Sequence, residues 1–169
     1  MPAPAISWLW RKKWILAGIG LPVLVAAWWW FRPEKLWVNV KVSEPAPFAS
    51  SADLQPLYTG LLAARAHPTS GRASVYQAPN GKRSLRLTDF TTSNGPDVHV
   101  VLAQSADDTL KQDFVKGRLN DVELGPLKAN QGDQNYDLPE SADLNQYDSV
   151  VIYCERFNVI FGLAKLDKF

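Results

Sequence analysis

Residues 149–166 read SVVIYCERFNVIFGLAKL and form the most strongly β-prone part of the chain. Two runs rich in Val, Ile, Tyr and Phe, Ser149–Glu155 and Val159–Leu166, are separated by only three residues. β-Branched and aromatic side chains favour strands, because they pack well on a pleated, half-buried surface. This stretch therefore predicts two neighbouring strands near the C-terminus.

Shorter strand patterns precede this pair, and turn residues separate them. Asn80-Gly81 is a strong hairpin signal, since both residues accept positive φ. The predicted strands are Leu57–Ala64, Arg72–Gln77, Ser84–Phe90, Val98–Ala103, Asp121–Leu127 and Gln134–Leu138, and a short helix is predicted to follow Ser105 and reach Phe114. No helical apolar stripe of ten residues or more appears after Phe31. Regularly spaced strands without crossover helices predict an all-β, antiparallel sandwich or barrel over residues 54–169.

The N-terminal part has a different composition. All seven Trp of the 169 residues lie in the first 37 positions. Residues 14–31 read WILAGIGLPVLVAAWWWF, 18 residues without a charge, which as a helix would extend about 27 Å. We expect a transmembrane anchor here, because the run ends in three Trp, Phe31, Arg32 and Pro33, a poor site for signal-peptide cleavage.

The positive charges before the anchor predict its orientation. Arg11, Lys12 and Lys13 form a compact cationic block, whereas Arg32 and Lys35 follow the apolar run. We therefore expect residues 1–13 in the cytoplasm and the C-terminal domain outside it, either periplasmic or at the cell surface. Residues 32–53 are rich in Pro and Ser and read as a linker, in which the alternation from Leu36 to Val42 fits either an extended stalk or an edge strand.

Several function classes are excluded by the residue inventory. The net charge of +1 gives no nucleic-acid footprint. A single cysteine allows no intrachain disulfide, and no phosphate loop or zinc-protease motif occurs. The chain has two histidines, His67 and His99. Asp97 and His99 could join a serine in a catalytic triad, but no nucleophile elbow supports one.

Cys154 is the most informative single residue. By strand alternation it shares a face with Val150 and Ile152, while Val151 and Tyr153 take the opposite face. Free cysteine is often a small buried hydrophobe. An unpaired thiol outside the cytoplasm is also a candidate for electron transfer, mixed-disulfide formation or haem ligation. The two interpretations remain open at this point.

A family resemblance is carried by the same stretch. The pattern Val150-Val151-Ile152-Tyr153-Cys154-x-x-Phe157-x-Val159-x-Phe161-Gly162-x-Ala164-x-Leu166 resembles the DM-thirteen domain. Further matching segments are Gly60, Ser70-Gly71, Leu85-x-Leu87-x-Asp89-Phe90, Gly95-Pro96-Asp97-Val98-x-Val100-x-Leu102 and Asn135-Tyr136-x-Leu138-Pro139. The resemblance covers about residues 57–166, nearly the whole predicted domain.

The resemblance implies a β-sandwich-like domain with a cysteine in the penultimate strand and a role in electron transfer. Cys154 would act as a bare redox thiol, or haem would bind with Cys154, His67 or His99 as axial ligand, and Tyr153 or Tyr136 less readily. A membrane redox protein such as a b-type cytochrome is the implied partner. The alternative function is a non-catalytic binding or scaffold module that holds a partner protein or ligand near the membrane.

Overall fold

The computed structural model describes residues 18–30, 37–48, 54–104 and 121–169. Their order is a helical segment, α1 (18–30), followed by eleven strands. The strands are β1 (Lys41–Ser43), β2 (Tyr58–Leu61), β3 (Ala63–Ala64), β4 (Thr69–Gln77), β5 (Arg83–Thr92), β6 (Val98–Ala103), β7 (Asp121–Pro126), β8 (Gln131–Leu138), β9 (Ser149–Cys154), β10 (Val159–Lys165) and β11 (Asp167–Lys168).

The strands form two sheets. The six-stranded sheet has the order β1-β8-β5-β4-β2-β11, and the five-stranded sheet has the order β3-β10-β9-β6-β7. All strand pairs are antiparallel except β1 with β8, which is parallel. Because the two strand orders are separate, the domain is a sandwich, and the barrel alternative is wrong.

One large apolar cluster joins the two sheets. It contains Leu85 and Leu87 of β5, Val100 of β6 and Ile152 of β9, all fully buried. Successive residues of a strand point to opposite faces. The neighbours of these inward residues therefore face outward. We call the side of each sheet that faces the other sheet its inner face, and the opposite side its outer face.

The outer face of the five-stranded sheet is also buried. Its cluster contains Val101, Ala103, Val151, Tyr153, Ile160 and Leu163. As a result, every residue of β9 is buried, and this strand reads as an unbroken apolar run. Sheets covered on both faces have this sequence pattern.

The two sheets approach closely at Gly162 of β10. A Cβ atom at this position would lie 2.5 Å from Cγ2 of Thr69, which belongs to β4 of the other sheet. The Thr69 hydroxyl meets the hydroxyl of Thr92 at 2.8 Å and lies 3.1 Å from the carbonyl oxygen of Phe161. Only glycine leaves room for this contact between the sheets.

Most predicted strands are confirmed with small shifts in their ends. The predicted hairpin joins β4 to β5, and Gly81 has a φ of 84°. The single strand predicted over Leu57–Ala64 is wrong, because Leu62 is buried where the chain passes from β2 in one sheet to β3 in the other. The helix predicted after Ser105 lies outside the described residues.

The anchor predicted over residues 14–31 and the linker predicted over residues 32–53 compare differently with the structure. Among the described residues, no helix has the length and apolar character needed to cross a membrane. Residues 14–17 and 31 of the predicted anchor lie outside the described residues, as do residues 1–13. Of the two alternatives for the linker, the edge strand is the one that forms, since Lys41–Ser43 pair with Gln131–Asp133.

Candidate functional site

Cys154 ends strand β9 and lies on the inner face of the five-stranded sheet. Val98 of β6 and Val159 of β10 lie opposite it on the two neighbouring strands. Its side chain is a free thiol with no exposed surface, within the cluster between the sheets. The predicted face is confirmed, and the folded domain shields the thiol from solvent.

His67 precedes β4 and packs against the same core. Its ring stacks on Phe161 with the ring centroids 3.9 Å apart and an interplanar angle of 29°. The Nδ1 atom of His67 lies 2.8 Å from the hydroxyl oxygen of Ser93. These contacts hold the imidazole by an aromatic side chain and a hydroxyl, which explains its position without a metal or haem.

His99 belongs to β6 and lies on the outer face, opposite Tyr153 of β9. Its side chain is 14 % exposed. The Nδ1 atom lies 2.5 Å from a carboxylate oxygen of Glu123, and the Nε2 atom lies 3.2 Å from Asp97 and 4.0 Å from Glu155. The contact between Asp97 and His99 is therefore of the kind that a catalytic triad contains. In a triad, however, the other ring nitrogen contacts a serine, and here it contacts Glu123.

The three predicted haem ligands do not converge. Cys154 lies on the inner face of the five-stranded sheet, His99 lies on the outer face, and His67 is stacked on Phe161. The sheet itself separates Cys154 from His99, so one haem iron cannot take both as axial ligands. Taken singly, Cys154 has no exposed surface, His67 is stacked on Phe161, and both ring nitrogens of His99 contact carboxylates, so none of the three offers the open side that a haem needs.

Tyr136 and Tyr153, the less favoured ligands, are held by hydrogen bonds. The Tyr136 hydroxyl donates to Oε1 of Gln134 at 2.8 Å, and the Tyr153 hydroxyl donates to Oδ1 of Asn158 at 2.7 Å. Burial raises the pKa of Tyr136 to about 12, although the backbone N–H of Lys128 partly opposes that shift. The raised pKa disfavours the phenolate form that binds iron.

A cavity of about 390 Å³ lies at one end of the sandwich. It is bounded by Val38 and Val40 of the linker, by residues 93–98 before and at the start of β6, and by residues 126–130 after β7. Neither Cys154 nor either histidine lines it, so the cavity offers no sulfur or imidazole ligand to a cofactor.

Sequence reasoning missed the two glutamates around His99. Glu123 comes from β7 and Glu155 from the turn after β9, so 24 and 56 residues separate them from His99 in the chain. The strand order β9-β6-β7 brings them together. Alternation within β6 and within β7 predicts which residues of each strand share a face with His99 or with Glu123. Only the register between the two strands shows that His99 and Glu123 lie on the same face of the sheet.

Comparison with protein families assigns the domain. The family model described as Electron transfer DM13 matches residues 62–166, which is well over half of the chain. The chain therefore belongs to this family, as the cysteine strand and the segments before it suggested. No curated protein and no solved structure matches the chain significantly.

Proposed function

We propose that this member of the electron-transfer DM13 family is held at the outer surface of a membrane and that the thiol of Cys154 is its redox group. The observation that carries the proposal is the family match over residues 62–166, which contains Cys154, the only thiol of the sequence. The match supports electron transfer as the role of the domain. The assignment to Cys154 rests on thiol chemistry, because thiolates exchange electrons through disulfides.

The burial of Cys154 determines how such a thiol would act. No thiolate of a partner can reach a side chain without exposed surface. Cys154 is, however, the last residue of β9, and the turn 155–158 follows it. Strand ends open at a lower free energy than strand centres. We therefore propose that the thiol is exposed by local opening at this end of the β9–β10 hairpin.

Polar contacts rather than core packing hold the turn in place, among them the hydrogen bond from the Tyr153 hydroxyl to Asn158 at 2.7 Å and the contact of Glu155 with His99. The N–H of Glu155 donates to the carbonyl of Asp97 at 2.9 Å, and the N–H of Asn158 donates to the carbonyl of Glu155 at 3.3 Å. Phe157 in the same turn is 63 % exposed and contributes little to the core. Opening the turn therefore disrupts little of the apolar cluster.

The proposed reaction is thiol–disulfide exchange with a partner protein. The Cys154 thiolate attacks one sulfur of a partner disulfide, a new S–S bond forms, and the partner's S–S bond breaks. The second partner sulfur leaves as a thiolate with the electron pair of the broken bond. The partner has then gained one thiolate, and the Cys154 sulfur is oxidised to the disulfide level.

A chromogenic aromatic disulfide tests this role on the purified full-length chain. In native buffer the wild type should react slowly, at a rate nearly independent of low urea concentrations, because local opening exposes little surface. Cys154→Ala should not react. Val150→Ala is the matched control, since it truncates the same face of the same strand, keeps the thiol and should still react.

The dependence on urea separates the proposed role from simple packing. If the reaction rate follows global unfolding, with the full urea dependence of the equilibrium transition, Cys154 is accessible only in the unfolded chain. That result would refute local exposure and leave Cys154 as a packing residue.

Membrane attachment is a further part of the proposal, supported by the uncharged run 14–31 and the cationic block before it. Full-length protein should stay in the membrane fraction after washes with high salt and at alkaline pH. A reporter active only outside the cytoplasm should be active when fused after Phe169. Release by the washes, or activity of a cytoplasm-only reporter, would contradict the attachment or its orientation.

A membrane redox protein with an exchangeable disulfide is the partner that this placement and this reaction favour. A b-type cytochrome would fit only if its protein carries such a disulfide, because a haem takes up single electrons and forms no S–S bond. A b-type cytochrome carries its own haem. The proposal assigns no haem to this domain, because the candidate haem ligands of this chain lie apart. An absorption spectrum of the purified protein after haemin addition checks that point. We expect no Soret band of a ligated haem, and such a band would contradict the reading of the ligand positions.

A non-catalytic binding module is the second candidate function. The cavity at the end of the sandwich favours it, together with Val38 and Val40, two exposed apolar residues that line the cavity. Val38→Asp should then weaken retention of a co-purifying membrane partner while leaving the Cys154 thiol reaction unchanged. Unchanged retention would count against a binding role of this surface.

A further inference from the structure

The group of side chains around His99 is assembled from three parts of the chain. Asp97 precedes β6, His99 lies in β6, Glu123 lies in β7, and Glu155 follows β9. A backbone hydrogen bond of 2.9 Å from Glu155 to Asp97 fixes the two flanking segments. The pairing of β6 with β7 and β9, together with this hydrogen bond, therefore sets the positions of these residues.

The contact between Glu123 and His99 places a hydrogen on one nitrogen of the imidazole. An ionised carboxylate only accepts hydrogen bonds, so Nδ1 of His99 must carry a hydrogen to donate to Oε1 of Glu123 at 2.5 Å. Nε2 lies 3.2 Å from a carboxylate oxygen of Asp97, so it either carries a second hydrogen that is donated to Asp97 or, in a neutral ring, holds a lone pair. Metal-binding histidines have this arrangement, in which the distal N–H is given to a carboxylate and the other nitrogen faces the metal.

The atoms that face Nε2 of His99 are carboxylate oxygens. One oxygen of Asp97 lies 3.2 Å from Nε2 and one oxygen of Glu155 lies 4.0 Å from it. One ligand atom from each of these three residues lies within 4.8 Å of the others. A proton on Nε2, or a metal ion bound by it, would attract both carboxylate oxygens.

The spacing suits a metal ion. Bonds of about 2.0–2.2 Å to imidazole nitrogen and carboxylate oxygen put neighbouring ligand atoms roughly 3–3.6 Å apart. The Asp97 oxygen already has this distance from Nε2, and the Glu155 side chain, 31 % exposed, needs only a small rotation. Partial exposure of Asp97, at 39 %, also leaves a path for an ion from solvent.

From this geometry we propose that the domain binds one divalent transition-metal ion on the outer face of the five-stranded sheet. Asp97, Nε2 of His99 and Glu155 are the ligands, and Glu123 is the residue that orients the imidazole. One nitrogen and two oxygens favour Zn²⁺ or Mn²⁺, whereas Mg²⁺ and Ca²⁺ prefer oxygen ligands alone. Cys154 lies on the opposite face of this sheet, but Glu155 belongs to the turn that is proposed to open at Cys154, so a bound ion would oppose that opening.

Calorimetric titration of the purified, metal-stripped full-length chain with ZnCl₂ tests the site. We expect one Zn²⁺ per chain, weaker binding of Mn²⁺, and a rise in the melting temperature with added Zn²⁺. His99→Gln should abolish both the binding and the rise. Glu123→Gln should weaken binding roughly 10–100-fold, as loss of an orienting carboxylate does.

Two control variants exclude other zinc ligands. His67→Gln removes the other histidine, and Cys154→Ala removes the only thiol, and both should bind Zn²⁺ like the wild type. Glu155→Gln alters a partly exposed side chain, so it tests the site even if His99→Gln fails to fold. Stoichiometric binding that is lost in Cys154→Ala or His67→Gln, or that survives in both His99→Gln and Glu155→Gln, would overturn the proposal, as would the absence of binding.

Discussion

The two sheets bury their outer faces with different chemistry. In the five-stranded sheet the buried outer residues are apolar, as Val101 and Val151 show. In the six-stranded sheet they are polar and include Ser74, Ser84 and Arg86. The difference shows that an outer face can be covered either by apolar packing or by hydrogen bonding.

We call these buried polar residues on the outer face of the six-stranded sheet its polar cover, and Arg86 lies at its centre. Its guanidinium donates to the carbonyls of Glu44 and Pro45 at 3.1 and 2.9 Å, to Asn135 at 2.9 Å and to Asp133 at 2.7 Å. The segment after β1 is therefore fixed to the six-stranded sheet by charge and hydrogen bonds. A buried cation is tolerated there because its hydrogen bonds are satisfied.

A substitution in the inner core, which both sheets share, should cause the largest loss in the free energy of unfolding. Ile152→Ala removes a fully buried side chain from β9 and leaves a cavity between the sheets. We expect a loss of about 2–5 kcal/mol in the free energy of unfolding, measured by urea denaturation. Ile152→Val keeps most of the volume and should cost about 1 kcal/mol. Equal costs for the two variants would show that the site does not depend on packing.

The polar cover of the six-stranded sheet should give the next largest effect. Asp133→Asn removes the anion that faces Arg86 and leaves the buried cation less well paired. We expect a loss of about 2 kcal/mol in unfolding free energy. Asp137→Asn, an exposed residue of the same strand, is the control and should stay within about 0.5 kcal/mol of the wild type. A similar result for both variants would remove the distinction between the two outer faces.

The apolar cover of the five-stranded sheet is tested by Val151→Ala. Val151 has no exposed surface, so the loss of its two methyl groups should cost about 1.5 kcal/mol. Leu61→Ala on the six-stranded sheet removes a larger side chain that is 66 % exposed, and should cost under about 0.5 kcal/mol. If Leu61→Ala is the more damaging of the two, the outer face around Val151 is not a packed surface.

The smallest expected effect is the pH dependence of stability that comes from the ion pair between Glu44 and Lys128, at the edge of the polar cover. Burial acts to raise the pKa of Glu44, but hydrogen bonds from Lys128 and from the backbone of Asn135, with the charges of Lys128 and Arg86, lower it overall from 4.5. A lowered pKa in the folded state stabilises the fold above the unfolded value. That stabilisation disappears as the pH falls through the folded pKa.

Glu44→Gln should therefore lower stability at pH 7 by at most about 1 kcal/mol, because the ion pair with Lys128 is partly exposed. The difference between the variant and the wild type should shrink as the pH falls below about 4.5. Urea denaturation at several pH values measures this, with Glu140→Gln as an exposed control. A difference that grows at low pH would show that the pKa of Glu44 is raised rather than lowered.

The candidate site was only partly predictable from the sequence. Alternation along β9 placed Cys154 on the side of Val150 and Ile152, and the structure confirms that face. It did not reveal that the thiol has no exposed surface, since burial depends on the second sheet. The contacts of His99 with Glu123 and Glu155 were missed, because they depend on which strands flank β6.

The sequence by itself determined most of the strands, the hairpin at Asn80-Gly81 and which side chains of one strand share a face. These features follow from the two-residue period of a strand and from local turn conformation, which a few neighbouring residues fix. Tertiary structure alone decided that Leu62 passes between the sheets and that β1 pairs in parallel with β8. It also placed β6 between β7 and β9, because such pairings depend on burying apolar surface between segments far apart in the chain.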